Sequence, residues 1–146
     1  MKNKNPQNEN LTSIGLLLLR VGISVLMLVH GISKVQRFGE MADSFPDPIG
    51  MGSQLSLIMV IGAEVGCSIL LIVGLFSRLS AIPLVFTMVV ALLVVHGADP
   101  WKVKELAAAY LLVYVSLILT GPGLFSLDHK LFGGNSDTTS LEKELV

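Results

Sequence analysis

The stretch LSLIMVIGAEVGCSILLIVGLF (Leu55–Phe76) is apolar over nearly its whole length and carries one acidic side chain, Glu64, near its centre. A helix of about 20 apolar residues crosses the ~30 Å hydrocarbon core of a bilayer. A charge at mid-membrane depth costs about 3 kcal/mol or more, so it normally faces the protein interior and has a partner. We therefore interpret Leu55–Phe76 as a membrane-spanning helix with Glu64 facing inward.

Three more apolar runs of similar length surround this stretch, at Leu11–Val29, Leu79–Val95 and Val103–Thr120. They predict an all-α fold, a four-transmembrane-helix bundle of up-down topology with both termini on the same side. We expect a membrane domain over residues 11–132, a disordered N-terminal tail over 1–10 and a flexible C-terminal tail over 133–146. The long connection between the first two runs is interrupted by glycine and proline, which break regular structure.

Composition supports a membrane protein over a soluble one. The 146 residues are 52% hydrophobic and 14% charged, whereas soluble domains carry about 25% charged residues. The mean hydropathy is +0.73. A soluble bundle needs polar outer faces, and stretches such as Leu84–Val95 have none. The net charge of −1 provides no basic field for nucleic acid, and the single cysteine, Cys67, excludes an internal disulfide.

Arg20 occupies the middle of Leu11–Val29 as Glu64 does in its own run. Because the first two helices run antiparallel, we expect the two side chains to reach similar depths and to form an ion pair. Two interpretations stay open. The pair either tunes a buried site or is a structural lock between two helices.

A second group of polar residues is predicted at one membrane face, where the first and third helices end and the fourth begins. It contains His30, His96 and Glu105, whereas Lys34 nearby is interpreted as solvated. Two imidazoles and a carboxylate are able to relay protons, bind a quinone carbonyl or hold a metal. A metal site is disfavoured because the spacing is not local. Each histidine alone is also explained as an interfacial side chain that reaches water.

These residues together resemble the DoxX family of small bacterial and archaeal membrane proteins. The resemblance covers about residues 17–128. It rests on the motifs Leu19-Arg20, His30-Gly31, Gly62 with Glu64 and Gly66, His96, Lys104-Glu105, and Gly121-Pro122-Gly123 with Ser126-Leu127-Asp128.

The resemblance implies membrane redox chemistry, with a quinone as the ligand and a redox enzyme as a partner. It also implies that Arg20, His30, Glu64, His96 and Glu105 line the site. A bacterial plasma membrane is the expected location. The positive-inside rule then favours cytoplasmic termini, because the terminal side carries slightly more Lys and Arg than the other.

The leading hypothesis is a membrane subunit of a quinone-linked redox system, which leaves open whether the chain is itself an oxidoreductase. The chain has no evident electron carrier, so a partner or the substrate would have to deliver the electrons. A small-solute transporter is the first alternative, since buried ion pairs also mark such pathways. A membrane scaffold for soluble redox enzymes is the second. A homo-oligomer is compatible with each of these hypotheses.

Overall fold

The computed structural model describes residues 6–133, and helices make up most of them, with no strand in this range. Four helices are long and apolar enough to cross a membrane: span 1 (Pro6–Gln36), span 2 (Ser53–Val73), span 3 (Ser77–Val95) and span 4 (Trp101–Thr120). Two short helices, Phe38–Met41 and Leu127–Phe132, follow spans 1 and 4. The predicted four-helix membrane fold is confirmed.

The predicted N-terminal boundary is wrong in part, because span 1 begins at Pro6 and residues 6–10 are helical rather than disordered. Its 31 residues make a helix of about 46 Å, which is longer than the hydrocarbon core. Span 2 ends at Val73, three residues earlier than expected, since Gly74 adopts a left-handed conformation (φ 74°) that terminates helices. Residues 1–5, and residues 134–146 of the predicted C-terminal tail over 133–146, lie outside the described residues.

The bundle presents most of its apolar side chains outward. Between 17% and 28% of the residues in the most apolar window of each span are buried. Large side chains such as Leu18, Leu112 and Leu119 are more than two thirds exposed on the bundle surface. An apolar surface of this extent would cause aggregation in water, whereas a bilayer covers it. The chain is therefore an integral membrane protein whose outer surface contacts lipid.

Two glycines show how spans 1 and 2 are aligned. A Cβ atom on Gly31 would lie 3.1 Å from the Cβ of Glu64 and 2.7 Å from a methyl of Val65, so the backbone of span 1 touches span 2 there. At the other end, a Cβ on Gly74 would lie 2.5 Å from Nη1 of Arg20. In this register, Glu64 lies beside Gly31 and Arg20 lies beside the end of span 2.

The predicted Arg20–Glu64 ion pair is therefore wrong. Arg20 lies about 11 residues before Gly31, ~16 Å along the helix axis from Glu64. Its Nη1 donates to the carbonyl of Pro122 at 3.0 Å, and its Nη2 donates to the carbonyl of Phe125 at 2.8 Å. The residue is only 1% exposed. Arg20 thus holds the segment after span 4 against the bundle.

Asp128 completes this arrangement, which we call the arginine clasp (Arg20, Pro122, Phe125 and Asp128). Its carboxylate accepts hydrogen bonds from the backbone N–H groups of Phe76 at 2.6 Å and Ser77 at 2.8 Å, at the start of span 3. A negative charge is favourable at a helix N-terminus. Asp128 is also close enough to attract the Arg20 guanidinium electrostatically. The clasp therefore joins span 1, the turn before span 3 and the chain after span 4.

Candidate functional site

Glu64 is buried in the middle of the bundle and forms an ion pair with Lys34. The Lys34 Nζ atom donates to Oε1 of Glu64 at 2.9 Å and to Oε2 at 2.6 Å. The Glu64 side chain is 4% exposed and that of Lys34 is 22% exposed. A buried carboxylate of this kind needs a cation, and Lys34 reaches it from near the end of span 1. Arg20 was predicted to be the charge partner of Glu64, but that partner is Lys34.

The backbone around Glu64 is a π-helix over Gly62–Cys67, within span 2. Single π-helical turns inside α-helices are rare, and those that occur are often found at functional sites. Gly62 and Gly66 of this turn are exposed, and a Cβ atom on either would meet nothing within 4 Å, whereas Glu64 lies on the opposite side, against Gly31 of span 1. The turn therefore presents the Glu64 carboxylate to the interior next to span 1.

A second π-helix, Ala91–Val95, ends span 3 and places His96. The backbone N–H of His96 donates to the carbonyl of Ala91 at 2.9 Å. The Nδ1 atom of His96 lies 2.7 Å from Oδ2 of Asp99, and Nζ of Lys104 donates to the carbonyl of Gly97 at 2.6 Å. With Asp99 on Nδ1, the Nε2 atom of His96 is the nitrogen available to a ligand.

His30 reaches the same region from span 1. Its ring meets the ring of Tyr110 edge to face, with centroids 5.9 Å apart and an interplanar angle of 86°. Tyr110 stacks in turn on Tyr114 at 6.1 Å, and both tyrosines are buried. Span 4 therefore contributes the ring of Tyr110 to the site, with Tyr114 stacked behind it, and neither tyrosine was predicted there.

Two cavities meet at the Lys34–Glu64 pair. The larger, of about 320 Å³, lies between spans 2 and 3 and is mostly apolar. The smaller, of about 180 Å³, is bordered by His30 and Tyr110 on spans 1 and 4. Both cavities are lined by Lys34, Glu64 and His96. These three side chains form what we call the polar junction, the polar end of an otherwise apolar chamber.

Two of the predicted site residues lie elsewhere. Arg20 belongs to the arginine clasp, near the far end of span 2. Glu105 is exposed in the first turns of span 4 and lines neither of these cavities, because span 4 turns Tyr110, Tyr114 and Leu117 toward the core instead. The structure thus brings together His30, Glu64 and His96, and adds Lys34 and Tyr110.

The connection after the helix Phe38–Met41 is organised by one carboxylate, that of Asp47. Its Oδ1 accepts from the N–H groups of Gly50 and Met51, both at 3.0 Å, and from the Ser56 hydroxyl at 2.8 Å. Its Oδ2 accepts from the N–H of Gly52 at 2.7 Å. These hydrogen bonds, with that of Ser56 the largest contributor, hold the pKa of Asp47 below its ordinary value.

We expect the chemical shift of the Gly52 amide proton to follow the protonation of the Asp47 carboxylate in an NMR titration. A lowered pKa means that the hydrogen bonds are fully present above the ordinary value of 3.8 and are lost as the pH falls through the lower, folded value. The Gly52 resonance should therefore move with a midpoint below 3.8. Asp43→Asn, an exposed neighbour in the same connection, should leave the curve unchanged, and a midpoint above 3.8 would contradict the structure.

Comparison with known proteins agrees with this architecture. The DoxX family model matches residues 15–97. An uncharacterized protein of Haemophilus influenzae is 31% identical over 121 residues, covering 78% of this chain and 88% of the relative. The putative oxidoreductase CatD of Bacillus subtilis is 30% identical over 125 residues, covering 85% and 92%.

A third relative is the inner membrane protein YphA of Escherichia coli, which is 29% identical over 131 residues, covering 79% of this chain and 89% of YphA. No solved structure gives a significant match. The family match begins at residue 15 within span 1, continues over span 2 and span 3 up to His96-Gly97, and so includes every residue of the polar junction. The chain belongs to the DoxX family.

Proposed function

We propose that this protein is the membrane subunit of a quinone-linked redox system and that it binds the quinone headgroup at the polar junction. The observation that carries the proposal is the larger cavity, a mostly apolar chamber of about 320 Å³ that ends at Lys34, Glu64 and His96. Ligand sites are typically concave, largely apolar and equipped with a few converging polar groups. A molecule with a polar ring and an apolar tail matches this distribution.

The residues of the polar junction suit the chemistry of a quinone. A quinone that accepts two electrons also takes up two protons. The Lys34 ammonium is a donor for its carbonyl oxygens, and so is Nε2 of His96 in the imidazolium form, which Asp99 pairs with at Nδ1. Glu64 is a carboxylate able to hold a proton beside them. The smaller cavity, with His30 and Tyr110 at its border, offers a more polar route by which protons reach Glu64.

A quinone-linked redox system also needs a source of electrons for the quinone. We therefore propose a soluble or membrane-bound reductase as the partner. The name of the Bacillus subtilis relative, a putative oxidoreductase, supports a redox role. The name of the Escherichia coli relative supports a bacterial inner membrane location, and cytoplasmic termini stay a prediction.

Quinone binding tests this proposal directly. Purified protein should bind tritiated decylubiquinone saturably in a scintillation-proximity assay. His96→Phe keeps an aromatic ring but removes the Nε2 donor, and we expect its affinity to fall about tenfold, as for the loss of one hydrogen bond of ~1.4 kcal/mol.

His129→Phe is the matched control, because His129 is exposed on the helix Leu127–Phe132 and lines neither cavity. Its affinity should equal that of the wild type. Absence of saturable binding, or equal affinities for the wild type and His96→Phe, would end the proposal.

A further inference from the structure

The larger cavity has walls of two kinds. On the side where span 2 begins, it is covered by the connection over residues 42–52, which we call the cap. Five side chains of the cap line the cavity: Phe45, Pro46, Pro48, Ile49 and Met51. Farther into the bilayer the walls are side chains of spans 2 and 3, among them Met59 and Phe86, which are 60% and 55% exposed on the lipid-facing surface.

The cap owes its conformation to Asp47. Its carboxylate is the acceptor for three successive backbone N–H groups and for the hydroxyl of Ser56 in the first turn of span 2. Gly50 and Gly52 have φ values of +77° and +97°, which allow the chain to fold back around that carboxylate. Asp47 therefore ties the apolar cap to the span that carries Glu64.

We propose that Asp47 is a positioning residue that keeps the cap closed over the aqueous end of the larger cavity, so that the ligand enters from the lipid between spans 2 and 3. The cap side chains are apolar and shield the chamber from water. The opposite wall contains Met59, Phe86 and Pro83, which lie on the surface that faces acyl chains. A ligand that enters there is lipid-soluble and leaves its tail between Met59 and Phe86.

The inference deepens the proposed function and takes from it only the identity of the ligand. The path of access is a property of the cavity and the cap, and it is testable without any quinone. Two reagents that react with thiols, one confined to water and one dissolved in lipid, distinguish the two paths.

The test uses a single introduced thiol within the larger cavity. In a Cys67→Ala background, Ala63→Cys or Val60→Cys places that thiol on the cavity wall, and the second position serves if the first does not fold. The protein is placed in lipid nanodiscs, where water reaches both faces. A trimethylammonium methanethiosulfonate should react slowly with the thiol, whereas N-phenylmaleimide, which partitions into lipid, should react readily.

Adding Asp47→Ala should raise the rate at which the water-soluble reagent labels the thiol about tenfold, because the cap loses the hydrogen bonds that the Asp47 carboxylate accepts. The rate with N-phenylmaleimide should stay unchanged. Asp47→Asn retains one acceptor oxygen and should restore most of the protection. Asp43→Ala, in the same connection but without these hydrogen bonds, is the matched control, and Gln54→Cys, which is exposed and outside this cavity, should react equally fast in all backgrounds.

The ratio of the two labelling rates separates positioning from a structural effect, because general loosening of the bundle would raise both rates together. Fast aqueous labelling in the presence of Asp47, or a ratio that Asp47→Ala leaves unchanged, would overturn the inference. Loss of quinone binding with this access pattern intact would reject the proposed function alone.

Discussion

Arg20→Met is expected to lower the free energy of unfolding by about 2–5 kcal/mol. The substitution removes the donor of two hydrogen bonds, to the carbonyls of Pro122 and Phe125, and leaves both acceptors without a donor in a partly buried region. It also removes the cation that faces Asp128. Because the arginine clasp joins span 1 to the chain after span 4, the loss should affect the whole bundle rather than one helix.

Reversible unfolding in mixed micelles with increasing SDS, followed by circular dichroism, measures this change. Arg37→Met is the matched control, since Arg37 is 61% exposed and its ion pair with Glu40 is of the surface kind, worth about 0–1 kcal/mol. The free energy of unfolding of Arg20→Lys should lie between those of the wild type and Arg20→Met, because a single ammonium does not reproduce the planar, bidentate geometry of a guanidinium. Equal stabilities for Arg20→Met and Arg37→Met would refute the structural role of the clasp.

The position of Arg20 shows what a sequence of this kind predicts and what it does not. Hydropathy identified the four spans, because length and apolar composition are enough to identify a membrane helix. It did not identify the register between spans 1 and 2. That register depends on close contacts at Gly31 and Gly74, and a glycine contributes little to a hydropathy profile.

Glu105 of span 4 was predicted to line the site, but the structure leaves it exposed, for a related reason. A helix that is apolar on all sides has no strong amphipathic signal, so the sequence did not indicate which face of span 4 packs against the bundle. The structure instead buries Tyr110 and Tyr114. The two rings lie four residues apart, so they share one face of span 4, and this spacing was the signal available in the sequence.

The convergence of His30 and His96 was predicted from chain topology, whereas Glu64 was placed at the same site only by the resemblance to the DoxX family. Antiparallel spans of similar length bring the end of one helix beside the start of the next. Lys34 was missed as the partner of Glu64 because a lysine near a helix end usually reaches water. Its recognition required knowing that Gly31, one turn earlier, touches Glu64.

Lys34→Met is expected to cost more stability than Glu64→Gln, although both break the same ion pair. Removing Lys34 leaves a carboxylate that is 4% exposed without a cation, and breaking a buried pair in this way costs about 3–5 kcal/mol. Removing the charge of Glu64 leaves Lys34, which is already 22% exposed and lies near the end of span 1. Its flexible stem allows the ammonium to move toward water, so we expect a loss of about 1 kcal/mol.

The double variant Lys34→Met/Glu64→Gln provides the decisive comparison. Because it removes both charges, it should recover most of the stability that Lys34→Met loses, giving a coupling energy of about 3 kcal/mol or more in the double-mutant cycle. Lys102→Met, an exposed lysine near the same membrane face, should change stability by less than about 0.5 kcal/mol. If the two single losses simply added, or if Lys34→Met were no worse than Lys102→Met, the ion pair would not be the interaction that keeps a charged Glu64 inside the bundle.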